Sequence, residues 1–441
     1  MTPLEASSDT RNGMKNIHIS KSMLASNGVT IFNSLGSNYD LAFALRAECA
    51  LGSKKTRQQL IDYLNERYGG KTTLTYKGRD AITLALKALL PHASGTVAIN
   101  GFTCIALYDA VVQAGMAPVL LDIEKGALDF SARALEDALA KDSSIKAVII
   151  QNTLGYPCEG NKIAAICKER GIFLIEDLAH SVGARYADGS EAGLRHAEAG
   201  FGLAEAGTLG DATVLSFGQD KAVDAVSGGA LVLRNAMIAQ VEMPQESVPF
   251  KQQLKDRFYP RFTWDIRSTY RWYGRLEHTF LRAVHALPRP LEGGHGPRKL
   301  PHWYTPLILR QFLRLDTVSE HRRSIARIYA KMLDTSVTLP GTCATIDTSA
   351  NLRFPIVVND RAELIAHMRE RGVHVSDTWY DAPIAPKKYS SRVRYQKGTC
   401  PNAEFASERI LNLPTHINVS PHAAKVIADE VNRFLKHEHG I

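Results

Sequence analysis

The 441-residue chain predicts an α/β fold: a mainly parallel, doubly wound sheet with helices on both faces, followed by a smaller C-terminal α+β domain. Three observations carry this. From residue 70 onward, short apolar strands alternate with helical stretches of about ten residues, the pattern of strand-helix-strand units. Beyond Asn235 the alternation stops. After Leu300 a long helical pattern begins and mixed strand and helix signals follow.

Element by element, Arg79 to Leu90 places Ile82, Ala85, Leu86 and Leu89 at helical spacing, and Thr96–Asn100 is a short apolar strand. Ile105–Gly115 reads as a helix ending at a glycine, and Pro118–Ile123 as a strand. Ser131 caps a helix reaching Lys141, before the strand Ala147–Gln151. The helix Lys162–Arg170 stops at Gly171, and the strand Ile172–Asp177 follows. Two more strands, Ala212–Phe217 and Gly228–Arg234, complete the sheet. The C-terminal part offers a helix through Glu320–Leu333, a strand Leu352–Val358, a helix Ala362–Arg371 and a closing helix His422–Lys436. The expected division is a tail over 1–30, a large domain over 31–240, an insertion over 241–300 and a small domain over 301–441.

Composition limits the function classes. No stretch approaches the roughly 18 unbroken apolar residues of a membrane span. The N-terminus is polar, without an apolar signal core. Six cysteines are scattered with no Cys-x-x-Cys pair, which argues against a zinc site or a disulfide framework and for a cytoplasmic protein. The net charge of +8 is local: residues 251–300 hold eleven Lys/Arg and four acids. The rest is near neutral, so nucleic acid is not an expected partner.

The chemistry-bearing residues lie at strand ends. Ile172-Phe-Leu-Ile-Glu-Asp delivers Asp177 to the C-terminal tip of a buried strand. Ala212-Thr-Val-Leu-Ser-Phe delivers Ser216, and Lys221 follows five residues later. Ligands of doubly wound sheets sit at such ends. A carboxylate, a hydroxyl and an amine in this order suit pyridoxal 5′-phosphate (PLP). The lysine forms a Schiff base with its aldehyde, and the acid keeps the pyridine nitrogen protonated. Glu176 is the weaker partner for the ring, because strand side chains alternate and only one of the two can face it. His180 is either an interior histidine or a neighbour of the ring's phenolic oxygen. Lys77-Gly-Arg-Asp opens a helix whose N–H groups suit a phosphate, with Gly78 permitting close approach and Arg79 adding charge-assisted bonds.

These motifs resemble the DegT-like sugar aminotransferases, PLP enzymes of fold-type I. Gly78-Arg-Asp-Ala-Ile, Gly115-Met-Ala-Pro-Val-Leu-Leu-Asp, Gly155-Tyr-Pro, Glu176-Asp-Leu-Ala-His-Ser-Val-Gly-Ala, Ser216-Phe-Gly-Gln-Asp-Lys and Leu413-Pro-Thr-His carry the likeness from about residue 70. The resemblance implies a fold-type I aminotransferase that moves an amino group from an amino acid, glutamate first, to a nucleotide-linked keto sugar, as a homodimer. It implies Lys221 as Schiff-base lysine, Asp177 on the ring nitrogen, His180 at the phenolic oxygen, and Ser216 and Arg79 on the phosphate. Four features depart from the family pattern. His180 replaces a glutamine, and Arg79 replaces a hydroxyl residue. Cys104 in Phe102-Thr-Cys stands where an aromatic covers the ring, with Phe102 as the alternative contact. His302-Trp-Tyr-Thr-Pro lies near the place of Asn-x-Arg-Met. Other PLP reactions on this fold (lyase or decarboxylase) and a non-catalytic protein retaining it are the competing expectations.

The basic, aromatic stretch 250–300 has three readings. It is a surface decoration, a contact for a diphosphate-bearing substrate, or a peripheral contact with an anionic membrane.

Overall fold

The computed structural model describes residues 30–92, 95–186, 203–234, 244–289, 291, 296–376 and 379–438; the expected tail over 1–30 lies almost wholly outside them. Strands β1 (Lys71–Thr75), β2 (Thr96–Asn100), β3 (Ala117–Leu121), β4 (Ile145–Ile150), β5 (Phe173–Asp177), β6 (Ala212–Ser216) and β7 (Gly229–Leu233) form one sheet in the order β1-β7-β6-β5-β4-β2-β3. β7 runs antiparallel to both of its neighbours, and every other pairing is parallel.

Strand alternation divides the apolar side chains between two cores. Val97 and Ile99 of β2, with Ala147 and Ile149 of β4, face helices α3 (Gly78–Leu89) and α4 (Ile105–Gln113). Ala98, Val148 and Ile150 face the other way, toward α1 (Leu41–Cys49), α2 (Lys54–Tyr68), α5 (Ala132–Lys141) and α6 (Gly160–Arg170). The helix ends have the expected chemistry. Ser131 Oγ accepts from the Ala134 N–H at 3.1 Å, and Gly171 closes α6 at φ 64°.

The 241–300 stretch is more ordered than an unstructured decoration. Helix α7 (Phe250–Ser268) continues through Pro260, a π-helical turn spans Tyr270–Gly274, and α8 (Arg275–Ala283) follows. α7 packs on α1, and its Asp256 is fully buried. That carboxylate accepts from Tyr76 Oη at 2.7 Å, Tyr304 Oη at 2.7 Å and Gln252 Nε2 at 2.8 Å.

The packing also moves two expected boundaries. Helix α9 (Tyr304–Leu313) lies on α2, and its Tyr304, Leu307, Ile308 and Phe312 belong to the large core rather than to the C-terminal part. Helix α10 (Leu315–Met332) crosses between the two. Its Ile325, Ala326 and Tyr329 join a second core with the antiparallel pair β8 (Arg353–Val357) and β9 (Ile410–Pro414). Helices α11 (Arg361–Glu370) and α13 (Pro421–Glu438) cover that pair, while α12 (Pro401–Arg409) leads into β9. At the other end, Ile31–Phe32 pairs with Val373–His374, so these residues sit with the C-terminal core and not with the large domain.

Candidate active site

The parallel strands end on one edge of the sheet, and Gly78, Arg79, Cys104, His180, Ser216 and Lys221 of the predicted residues line a cavity of about 820 Å³ there. The register sets Asp177 of β5 beside Val214 of β6, two residues before Ser216. Asp177 is 7 % exposed and its Oδ1 accepts from the Ala179 N–H at 2.9 Å. Burial raises its pKa to about 6, while that N–H and the nearby Lys221 charge pull it back. Glu176 points to the opposite face, as alternation requires. There it accepts from the N–H groups of Gly207, Leu209 and Gly210 at 2.7–2.8 Å and pairs with Arg234 at 3.2 Å.

Lys221 follows β6 on a loop held by buried Asp224. That carboxylate accepts from the N–H of Asp220 at 2.7 Å, the N–H of Val226 at 3.0 Å, Asn38 Nδ2 at 3.1 Å and the Tyr39 hydroxyl. Asn38 Nδ2 also reaches the Lys221 carbonyl at 3.1 Å, and Gln311 Nε2 reaches the Asp224 carbonyl at 2.6 Å. A reactive lysine is thereby fixed by residues far away in sequence.

The Lys221 amine lies 3.0 Å from His180 Nε2, and the tautomer follows from the other ring nitrogen. His180 Nδ1 accepts the Leu154 N–H at 3.2 Å, so it carries no proton. Burial, then the charges of Lys221 and Arg353, hold the imidazole pKa well below its usual value, so the ring is neutral with its proton on Nε2. Burial lowers the Lys221 pKa from its ordinary value, which favours the uncharged amine, the form that attacks a carbonyl.

Gly78, Arg79 and Ser216 line the same cavity. Gly78 opens α3, and its N-cap residue Lys77 makes no side-chain cap, leaving first-turn N–H groups at the positive end of the helix dipole. A β-carbon at Gly78 would lie 2.8 Å from Ser216 Cβ, so glycine brings the helix start against that hydroxyl. Arg79 and Ser216, both half-buried, line the cavity here, with Lys77 beside them. Burial lowers the Lys77 pKa, and its Nζ donates to Ser227 Oγ at 3.3 Å. Helix N–H groups, a hydroxyl and cations form a donor set that fits the phosphate of PLP. Lys221 lines the same cavity and fits the aldehyde; Asp177, buried behind the lining and close enough for the Lys221 charge to act on it, fits the ring nitrogen.

Cys104 lines the cavity as N-cap of α4, its Sγ 3.4 Å from the Ala106 N–H. Phe102 does not line it. Its ring is fully buried behind Tyr380, with centroids 4.5 Å apart, so the expected Phe102 contact with a ring in the cavity is not made. The cause is the bridge of Thr103–Cys104 to Ile384–Ala385, which clamps this segment against the C-terminal part.

Sequence reasoning missed several neighbours. Trp379 stacks on His180 at 5.2 Å and places its ring 4.8 Å from Lys221 Nζ. Tyr380 Oη lies 3.4 Å from His180 Nδ1, and fully buried Arg353 stands 5.0 Å from the Trp379 ring. No local pattern marks these residues; only the seating of the C-terminal core against the sheet brings them here.

A strand-end carboxylate, a buried lysine amine and a helix N-terminus beside a hydroxyl at one end of this sheet fit PLP. The chain belongs to the DegT/DnrJ/EryC1/StrS aminotransferase family, whose sequence profile matches residues 53–432. It is 24 % identical over 364 residues to the pleiotropic regulatory protein of Geobacillus stearothermophilus, covering 82 % of this chain and 84 % of that one. It is 22 % identical over 390 residues to the dTDP-4-amino-4,6-dideoxy-D-glucose transaminase of Shigella dysenteriae, covering 86 % and 89 %. The fold matches an aminotransferase of this family from Brucella abortus with a TM-score of 0.63 at 21 % identity, covering 89 % and 95 %. Among the described residues no helix is long and apolar enough to cross a membrane.

Proposed function

We propose that the protein transfers an amino group from an amino acid, glutamate first, to a keto sugar carried on a nucleotide diphosphate, and that it works as a homodimer. One observation carries the reading: the buried Lys221 amine, 3.0 Å from His180 Nε2, shares a cavity with Gly78 and Ser216. The sugar nucleotide named for the Shigella relative supports the acceptor class.

PLP, when bound, supplies an electron sink for the carbanion formed at the amino-bearing carbon. Gly78, Arg79 and Ser216 would hold its phosphate, Asp177 its ring nitrogen, His180 its phenolic oxygen and Lys221 its aldehyde carbon. Lys221 Nζ, when not bonded to the coenzyme, would act as general base toward the proton on the donor Cα and as general acid in returning it. The donor leaves as its 2-oxo acid. The keto sugar then takes up the nitrogen by the reverse proton movement, which gives ping-pong kinetics. Trp379, over Lys221 and against His180, excludes water from the amine.

The test supplies purified protein with nitrogen-labelled glutamate and a panel of nucleotide-linked keto sugars. Mass spectrometry should find the label in an amino sugar, and light scattering should give a dimer mass. Labelled glutamate that never yields 2-oxoglutarate, or that is consumed only by decarboxylation or elimination, overturns the assignment.

A further inference from the structure

The cavity is far more cationic than its cofactor end requires. Lys77, Arg79 and Lys221 belong to that end. Arg282, Arg289 and Lys388 also line the cavity, and among the described lining residues Asp220 is the one carboxylate. We propose that Arg282 and Arg289, carried by the segment after α7, form with Lys388 a subsite for an organic diphosphate, supplied by the same chain that supplies Lys221. The proposal rests on the reading that this cavity takes a keto-sugar acceptor, and it names the residues that grip the acceptor's anionic part.

The segment is built to hold position. The buried Asp256 knot fixes α7 to the large core. Past it, Tyr270 packs edge-on against Phe32 at 4.8 Å and His374 at 5.0 Å, which ties the π turn to the C-terminal core. On α8, Leu281 is the buried anchor, and His278 and Arg282 reach the cavity. Burial and then the Arg282 charge lower the His278 pKa, which places that guanidinium beside it. Arg289 Nη2 lies 3.0 Å from His285 Nδ1. Arg282, Arg289 and Lys388 are exposed at the cavity rim, and planar guanidinium forks match phosphoryl oxygens in pairs.

A diphosphate could come from a soluble nucleotide or from a polyprenyl lipid. The lipid source is a real alternative because the outer arc of the same helix is apolar and exposed: Leu276 at 73 %, Phe280 at 64 % and Val284 at 53 %. Deleting α7 together with the segment after it would remove the buried Asp256, so the test uses point variants.

Holoprotein, wild type and Arg282→Ala/Arg289→Ala, is titrated by calorimetry with UDP, GDP, dTDP and inorganic pyrophosphate. Both proteins are also floated with phosphatidylcholine vesicles, with and without undecaprenyl diphosphate. Wild type should bind a nucleoside diphosphate, or vesicles only when they carry the lipid diphosphate, and pyrophosphate should compete. The double Ala variant should lose at least about tenfold in affinity, two charge-assisted contacts being removed. Arg282→Lys/Arg289→Lys should recover part of the loss. A visible coenzyme spectrum like that of wild type shows that the variants are folded. Equal affinity of wild type and the Ala variant, or no binding of any diphosphate by wild type, overturns the subsite. Diphosphate binding without amino transfer would leave the subsite standing and sink the catalytic reading.

Discussion

Replacing Gly78 with alanine probes the phosphate cradle most sharply. The backbone there is not left-handed, so the effect is steric alone. The new β-carbon would lie 2.8 Å from Ser216 Cβ, 3.1 Å from its Oγ and 3.3 Å from the Leu215 carbonyl oxygen. Ordinary carbon contacts fall at roughly 3.5–4.0 Å. Ser216 cannot swing away, because β6 is bonded on both sides, to β5 and β7. Start of helix and end of strand must therefore separate by about half an ångström or more, and such overpacking costs about 1–3 kcal/mol. The strain falls on the groups that grip the phosphate, so coenzyme affinity should drop about 5- to 150-fold. Titrating the coenzyme-free protein with PLP by absorbance measures this. Gly341→Ala is the control, since a β-carbon at Gly341 meets nothing within 4 Å. An unchanged dissociation constant for Gly78→Ala would refute the close approach of helix and hydroxyl.

Other perturbations have equally definite outcomes. Asp177 has its pKa raised from 3.8 to about 6 in the coenzyme-free fold. Its contribution to stability is therefore complete below about pH 4 and is lost as pH rises through 6, a difference of about 3 kcal/mol. Denaturant melts of coenzyme-free wild type and Asp177→Asn across pH 4–7 should show wild type losing about that much relative to the variant; a pH-independent difference would contradict it. Asp256→Ala strands two buried tyrosine hydroxyls, Tyr76 and Tyr304, and should destabilise the fold by about 2–5 kcal/mol. A melting temperature within error of wild type would show that α7 is not anchored there. Trp379→Ala hydrates the Lys221 amine, and burial is the largest cause of its lowered pKa. The pH at which coenzyme-free Lys221 reacts with an aldehyde probe should therefore move up, whereas Trp379→Phe should stay near wild type.

The part of the site carried by the sheet was legible because its logic is local. Apolar runs end in Asp177 and Ser216, and parallel strands deliver such ends to one edge. Even the choice of Asp177 over Glu176 follows from alternation, and the structure shows Glu176 bound to the Gly207–Gly210 turn on the other face. The C-terminal contributors were not legible. Trp379, Tyr380 and Arg353 reach Lys221 only through docking between two cores, and no periodicity records that. Phe102 shows the converse error, an aromatic in the right stretch of chain whose ring the Thr103–Ile384 pairing leaves in the core. The 250–289 helices escaped notice because α7 shows no clean apolar stripe and contains Pro260, which removes one helix N–H. The local excess of positive charge was visible, but not the cavity that part of it lines.

The account turns on the nucleophile at position 221. Ultraviolet–visible spectra of PLP-loaded wild type and Lys221→Ala, before and after borohydride, test it directly. Wild type should be yellow, and reduction should fix the coenzyme covalently to the peptide containing Lys221. The variant should lack that band and yield no modified peptide. A variant that stays equally yellow and is still labelled on another lysine would contradict the assignment.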